Sequence, residues 1–398
     1  MHIITFSNLF PSSVMPTHGI FVYERMRRVA IASGCRWSVV APVPAVMWPL
    51  RNLGGGQYKK WSQVPLRETW QGVDVYHPRF RHLPGMSQSR QADAVSKGAR
   101  DVVRSLVADG DAVLDAHYLW PDGVAAGQLA QELSVPFTLT ARGTDVNVLA
   151  QEPKLAGRIA DAARRAHRCM AVSTALSQRF AESCGLSEDA VETVRNGVDL
   201  ERFAPGDAPD DVRAARQELG LPTTGRIALG VGRLVSTKGF DVAAKAVASI
   251  PDTHLVLIGD GPDRQDIEAA GGGCVTFLGG LPPEKVAVAC RAADVFVLPT
   301  HREGWPNVVT EALASGLPVV ATPVGGIPQI LGGSEPEAHL GALVDVGDVA
   351  GFRAAIQRVL DGGKHTQEVR SFAESYGWAE PVEQLLATFR SAIGEAQS

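Results

Sequence analysis

Short apolar runs alternate with longer helix-period patterns from one end of this chain to the other, and that alternation limits the fold more than any other feature. Candidate strands are residues 2–6, 37–41, 112–115, 136–140, 169–172 and 191–194, then 226–231, 254–258, 274–278, 294–298 and 318–321. Runs this short and apolar, each followed by a helical stretch, predict parallel strands with helices on both faces and right-handed crossovers. The series breaks between residues 195 and 225. There Pro, Gly and acidic residues gather in RNGVDLERFAPGDAPDD, and one helical pattern, Val212–Leu219, precedes LPTTG. That composition suits an interdomain linker. At 398 residues the chain exceeds one ordinary domain. The expected class is α/β, with two doubly wound Rossmann-like domains over residues 1–195 and 205–375. A closing helix over 379–394 is expected to fold back on the first domain.

Composition narrows the function. Hydrophobic content of 45% and charged content of 20% describe a soluble globular protein. A net charge of −5 argues against a nucleic-acid partner, which calls for a basic footprint. Cys35, Cys169, Cys184, Cys274 and Cys290 are scattered, with no CxxC spacing, as in a cytoplasmic protein with reduced thiols. The opening MHIITFSNLF lacks a basic segment followed by a long apolar run. Asp109-Gly110-Asp111 has the DxD spacing of metal-dependent sugar transferases, but it precedes a strand and reads as a helix-to-strand turn. The ten histidines show no HxxxH pairing, and no GxSxG elbow exists.

Ligands of open α/β sheets bind outside the carboxyl ends of the strands. Four glycine-rich turns in the second half follow strands: 230–239, 259–263, 279–283 and 299–307. The first, GVGRLVSTKG, places Arg233 and Lys238 in one strand-to-helix loop, where two cations suit a diphosphate. It is neither a Walker loop nor a dinucleotide fingerprint, so hydride transfer is not indicated. The last opens LPTHREGWPNVVTEALASGLPVVATP, residues 298–323, read as strand, loop, helix and strand. Pro306 is expected as the first helical residue, with Gly316 and Pro318 ending the helix. The helix N-terminus is then an anion site beside Glu303. Carboxylate and anion repel unless a neutral polyhydroxyl group lies between them, which is what a nucleotide sugar supplies. Glu303 and Glu311 stand eight residues apart, about 12 Å along a helix. That favours separate jobs over a glycosidase acid–base pair. Glu311 suits the vicinal hydroxyls of a ribose, and Glu303 suits the sugar.

These residues resemble the GT-B glycosyltransferases of glycosyltransferase family four, bacterial enzymes of surface polysaccharide and glycolipid synthesis. The carriers are RNGVDLERFAP, VGRLVSTKG, IGDGPD and EGWPNVVTEALASGLPVVAT with its E-x7-E spacing; FSNLFPSSVMPTHGIFVYERMRRVA is similar to exopolysaccharide and teichuronic-acid members. The resemblance implies two domains facing across a cleft. It implies retaining transfer of a hexosyl group from a nucleotide diphosphate sugar such as a UDP-sugar, with no metal and no cofactor. Arg233 and Lys238 would neutralise the leaving diphosphate, Glu303 and His117 would contact the donor sugar, and Glu311 would hold the ribose. Gly19, Gly304, Trp305, Asn307 and Val308 would complete the donor site. The chain departs from the family at His18-Gly19, where many members have paired glycines. It departs again at Arg142-Gly143, where many have histidine-glycine. Arg142 and Asp145 are therefore placed on the acceptor side. An arginine there could bind an anionic acceptor or the diphosphate.

Between Arg51 and Arg104, ten Lys/Arg face four Asp/Glu, with Trp48, Tyr58, Trp61, Trp70 and Phe80 interleaved or adjacent. A basic aromatic surface suits an anionic membrane face, so peripheral membrane contact and a glycan or lipid-linked acceptor are expected. Two competing functions are a GT-B nucleotide-sugar epimerase, which needs no acceptor, and a non-catalytic nucleotide-sugar binding protein.

Overall fold

Unbroken valine, isoleucine and leucine runs become the central strands, because a parallel strand covered by helices on both faces meets no water. We describe a computed structural model of the chain covering residues 1–45, 56–81, 88–108, 110–206 and 209–397; Trp48, Arg51 and Asp109 lie outside them. The chain divides into two units: Met1–Asn196 with Ala379–Ser398, and Gly197–Trp378.

The first unit contains β1 (His2–Phe6), β2 (Arg36–Val40), β3 (Val43–Ala45), β4 (Arg67–Trp70), β5 (Val73–Tyr76), β6 (Arg79–Arg81), β7 (Ala112–His117), β8 (Phe137–Ala141), β9 (Arg168–Ala171) and β10 (Val191–Thr193). Eight form one sheet in the order β10-β9-β8-β7-β1-β2-β5-β4, while β3 and β6 pair separately. All neighbours are parallel except β4 and β5. Every residue of β1, β7 and β8 is buried. The closing helix, Ala379–Gln397, belongs to this unit and meets the helix Ile20–Ser33.

The second unit contains β11 (Arg226–Val231), β12 (Thr253–Ile258), β13 (Val275–Gly279), β14 (Val295–Leu298), β15 (Val319–Ala321) and β16 (Gly341–Leu343). They form one parallel sheet, β13-β12-β11-β14-β15-β16. This is the doubly wound order in which the chain starts at the centre, builds to one edge, then returns and builds to the other. The direction reverses between β11 and β14. That reversal is the topological switch point, where ligands of such sheets bind outside the carboxyl ends of the strands.

β3 to β6 and β16 are absent from the sequence reading. Each has three or four residues, and β4 alternates exposed and half-buried positions, so no apolar run marks it. The β4–β5 hairpin turns at Gln71-Gly72, both with positive φ (47° and 84°). That is the two-residue turn whose twist matches an antiparallel pair.

Candidate active site

In the second unit the loop after β11 is fixed on two sides. Leu234 N–H donates to Asp260 O (3.0 Å), and Asp263 N–H returns to Leu234 O (3.1 Å), joining it to the turn after β12. His301 N–H and the Thr300 hydroxyl both donate to Thr237 O (2.8 and 3.0 Å), joining it to the loop after β14. Gly239 sits in the left-handed region (φ 65°) and starts the helix Phe240–Val247. A Cβ there would lie 2.1 Å from Pro299 O, so only glycine lets the two loops approach this closely.

The clamp brings Lys238 against Glu303. The Lys238 ammonium donates to Glu303 Oε1, with both side chains largely shielded (24% and 12% exposed). Glu303 is held from behind by the turn at Gly325, where a Cβ would fall 2.2 Å from Glu303 O, and Gly326 N–H donates to Gly304 O (2.9 Å). Arg233 lies on the same loop, exposed, with no ion-pair partner among the described residues.

Pro306 is the N-cap of the helix Asn307–Ala314, which begins one position later than the sequence suggested, and supplies no side-chain cap. At the other end Arg370 donates to Ala314 O (2.7 Å), placing a cation on the negative end of the helix dipole. Arg370 was invisible in the sequence, because it lies 56 residues from its partner. Trp305 is buried with its ring 5.9 Å from that of Tyr376, and its indole N–H has no acceptor. Glu311, Asn307 and Val308 are half-buried on the first turns of the helix.

The first unit gathers a different set. His117 ends β7 and is 0% exposed. Its Nε2 lies 2.7 Å from Asp115 Oδ2, and Arg142 Nη2 lies 2.6 Å from its Nδ1. An arginine can only donate, so Nδ1 accepts and the ring proton belongs on Nε2, facing Asp115. Burial, only partly offset by Asp115, pulls His117 down to about 4, which keeps it neutral. Asp115 stays below its usual range: burial opposes this, but His117 and Arg25 outweigh it. Arg142 Nη1 donates to Asn196 Oδ1 (3.1 Å), which also accepts from Arg25 (3.2 Å). His117 is thus enclosed and orients Arg142, rather than presenting an open ring nitrogen. Asp115 carried a sequence signal, since residues two apart on a strand share a face. Arg25, on a distant helix, carried none.

Asp145 lies on the same loop as Arg142. Its side chain is fully buried and accepts the N–H groups of Leu119 (3.0 Å), Arg142 (3.0 Å) and Gly143 (2.7 Å). It shapes the loop that carries Arg142, and its carboxylate is spent on those backbone N–H groups. Gly19 likewise has an internal reason to be glycine. It adopts φ 65°, and a Cβ there would fall 2.2 Å from the Leu9 carbonyl. One buried carboxylate escaped the sequence reading: Asp122, after β7, accepts the Asn8 N–H (2.8 Å), and burial pushes it up to about 8.

Comparisons with known proteins identify the family. Residues 211–376 match the model described as "Glycosyl transferases group 1", and residues 43–202 match "Glycosyltransferase Family 4". TuaC of Bacillus subtilis (strain 168), assigned as a teichuronic acid biosynthesis glycosyltransferase, is 34% identical over 339 residues, 83% of each chain. The chain is a GT-B glycosyltransferase of family four. The D-inositol 3-phosphate glycosyltransferase of Acidothermus cellulolyticus is 31% identical to it, over 94% of this chain and 96% of that protein. Among solved structures, sucrose-phosphate synthase from Thermosynechococcus elongatus shares the fold of this glycosyltransferase. The TM-score is 0.75 at 20% identity, over 99% of both chains. Anabaena Alr3699/HepE, solved with UDP, gives 0.71 at 17% identity, over 98% of this chain and 100% of that one.

Proposed function

We propose that this glycosyltransferase moves a hexosyl group, with retention and without a metal, from a nucleoside diphosphate donor to a glycan or lipid-linked acceptor of surface polysaccharide synthesis. The observation that carries the donor assignment is the Lys238–Glu303 pair at the β11/β14 switch point, beside an uncapped helix N-terminus. Departure of the nucleoside diphosphate builds negative charge on its β-phosphate. Lys238, Arg233 and the N–H groups of Asn307 and Val308 would stabilise that charge where it forms. Glu303 and Gly304 would meet the sugar, and Glu311 the ribose hydroxyls. The walls of the site would be fixed by Trp305, and by Gly19 through its turn. His117 acts through Arg142.

The HepE complexes with UDP and UDP-glucose favour UDP as the nucleotide, and the similarity to TuaC favours a surface polymer as product. Among the described residues, no helix is long and apolar enough to cross a membrane. Peripheral contact through the segment 57–81, where Lys59, Lys60 and Leu66 are exposed beside Trp61, is proposed on its charge and aromatic content.

Thermal shift against a panel of nucleotide sugars tests the donor assignment. A ligand at 100 times its Kd adds about 2.7 kcal/mol of stability. UDP-sugars should raise the melting temperature of the wild type, and Glu311→Ala should lose the rise while keeping the fold. Sugar turnover without acceptor would favour an epimerase, and donor binding without transfer to any acceptor would favour a binding protein. The anomeric configuration of the product, and activity in EDTA, test retention and metal independence. Sedimentation with anionic vesicles tests the membrane contact.

A further inference from the structure

A cavity of about 520 Å³ opens at the carboxyl edge of the first unit's sheet, among the loops after β1, β2, β7 and β8. Its wall is largely apolar, with Leu9, Phe21, Val43, Trp61 and Phe80 on it. Among the described residues, Arg142 is the sole Lys or Arg in the lining, and no carboxylate lines it. The guanidinium lies over the Phe21 ring, 5.2 Å from its centroid. Its two hydrogen-bond partners, Asn196 and His117, are both neutral, and its buried Nε has no acceptor. Among the described residues no carboxylate lies within ion-pair distance of it, since Asp145 is occupied by backbone N–H groups. Behind it a second buried guanidinium, Arg25, shares Asn196 and leaves its own Nε and Nη2 unpaired. Asp115 acts on both guanidiniums and Asp145 on Arg142, but Asp115 is engaged with His117 and Asp145 with backbone N–H groups, and neither forms an ion pair with Arg142.

A largely shielded guanidinium with no ion-pair partner, beside an open cavity, is placed to take an anion from a ligand. We infer that this cavity binds an anionic acceptor, with Arg142 holding a phosphate or carboxylate oxyanion and the apolar wall holding the body that carries it. The word acceptor rests on the transferase reading above; the anion site rests on the cavity and on Arg142. The cavity size falls within the usual range for small-molecule pockets. His117 and Asn196 fix the guanidinium plane, so a bidentate oxyanion meets a donor fork that is already set. Neither surrounding backbone nor side chain supplies the acceptor that Arg142 Nε lacks.

Three probes with one body separate the sources: octyl β-D-glucoside, octyl β-D-glucuronide and octyl β-D-glucoside 6-phosphate, titrated calorimetrically below their micellar concentrations into the full-length protein. One or both anionic probes should bind about tenfold or more tighter than the neutral one. The tighter of the two identifies the acid. Arg142→Gln should abolish that preference and leave the neutral probe within about twofold, while Arg142→Lys restores part of it. If Arg142→Gln fails to fold, Trp61→Ala should weaken all three probes alike and keep the preference. Lys238→Ala should weaken UDP binding by about tenfold or more yet leave the octyl probes unchanged, so the donor reading and this inference can fail separately. Equal affinity for all three probes, or an anionic preference that survives Arg142→Gln, overturns the inference. So does competition by UDP that vanishes in Lys238→Ala.

Discussion

The Lys238 ammonium is bonded to the Glu303 carboxylate, so the cation proposed to meet a diphosphate is held by the very group proposed to touch the sugar. The two residues come from the loops that follow β11 and β14, at the switch point of the sheet. A phosphate arriving there competes with Glu303 for Lys238. Removing either partner should therefore act in opposite directions on nucleotide affinity.

Lys238→Ala should weaken UDP by about 10- to 150-fold, the worth of one charge-assisted hydrogen bond. Glu303→Gln frees the ammonium and should tighten UDP while slowing sugar transfer by about 100-fold or more. Calorimetry and initial rates check both. Weaker UDP binding in Glu303→Gln would remove the competition.

Gly239→Ala should cost about 2 kcal/mol or more, because a side chain must adopt left-handed backbone and also meets the Pro299 carbonyl at 2.1 Å. Gly272→Ala is the control. It shares a positive φ (56°) but opens into free space, so it should cost only the backbone part, about 1 kcal/mol. Urea melts of the two variants compare the terms directly.

Asp145→Ala leaves three buried N–H groups, those of Leu119, Arg142 and Gly143, without their acceptor. A loss of about 3 kcal/mol or more follows, at about 1–3 kcal/mol per orphaned group and less than additively. An unchanged melting temperature would show that this carboxylate is not what holds the loop.

Asp122, raised to about 8 by burial, makes the folded state hold a proton that the unfolded chain releases near pH 4. Between those values the unfolded state binds fewer protons, so this group's contribution to stability falls as pH rises from about 4 to about 8. Asp122→Asn should remove that slope and be the more stable protein at pH 8, with each kcal/mol worth about 2–4 °C. His117, lowered to about 4, acts in the opposite sense: its contribution is lost as pH falls from about 6.5 toward 4. Melting curves of wild type and Asp122→Asn from pH 4 to 9 separate the two slopes, and parallel curves would exclude Asp122 as their source.

The sequence alone determined the alternation of strands and helices, and with it the α/β class. Buried parallel strands such as Arg226–Val231 and Val295–Leu298 announce themselves as apolar runs. It also determined the loops bearing Lys238 and Glu303, because ligands meet the carboxyl ends of such strands wherever the sheet order reverses. Tertiary structure decided what no local pattern encodes. It brought Arg370 to the end of the helix beginning at Asn307, set Arg25 and Asn196 around Arg142, and enclosed His117 and Asp145. Those contacts of Arg370, Arg25 and Asn196 join residues 54 to 171 positions apart. Their energies come from burial and from charges that chain folding alone brings together, so periodicity and spacing carry no trace of them.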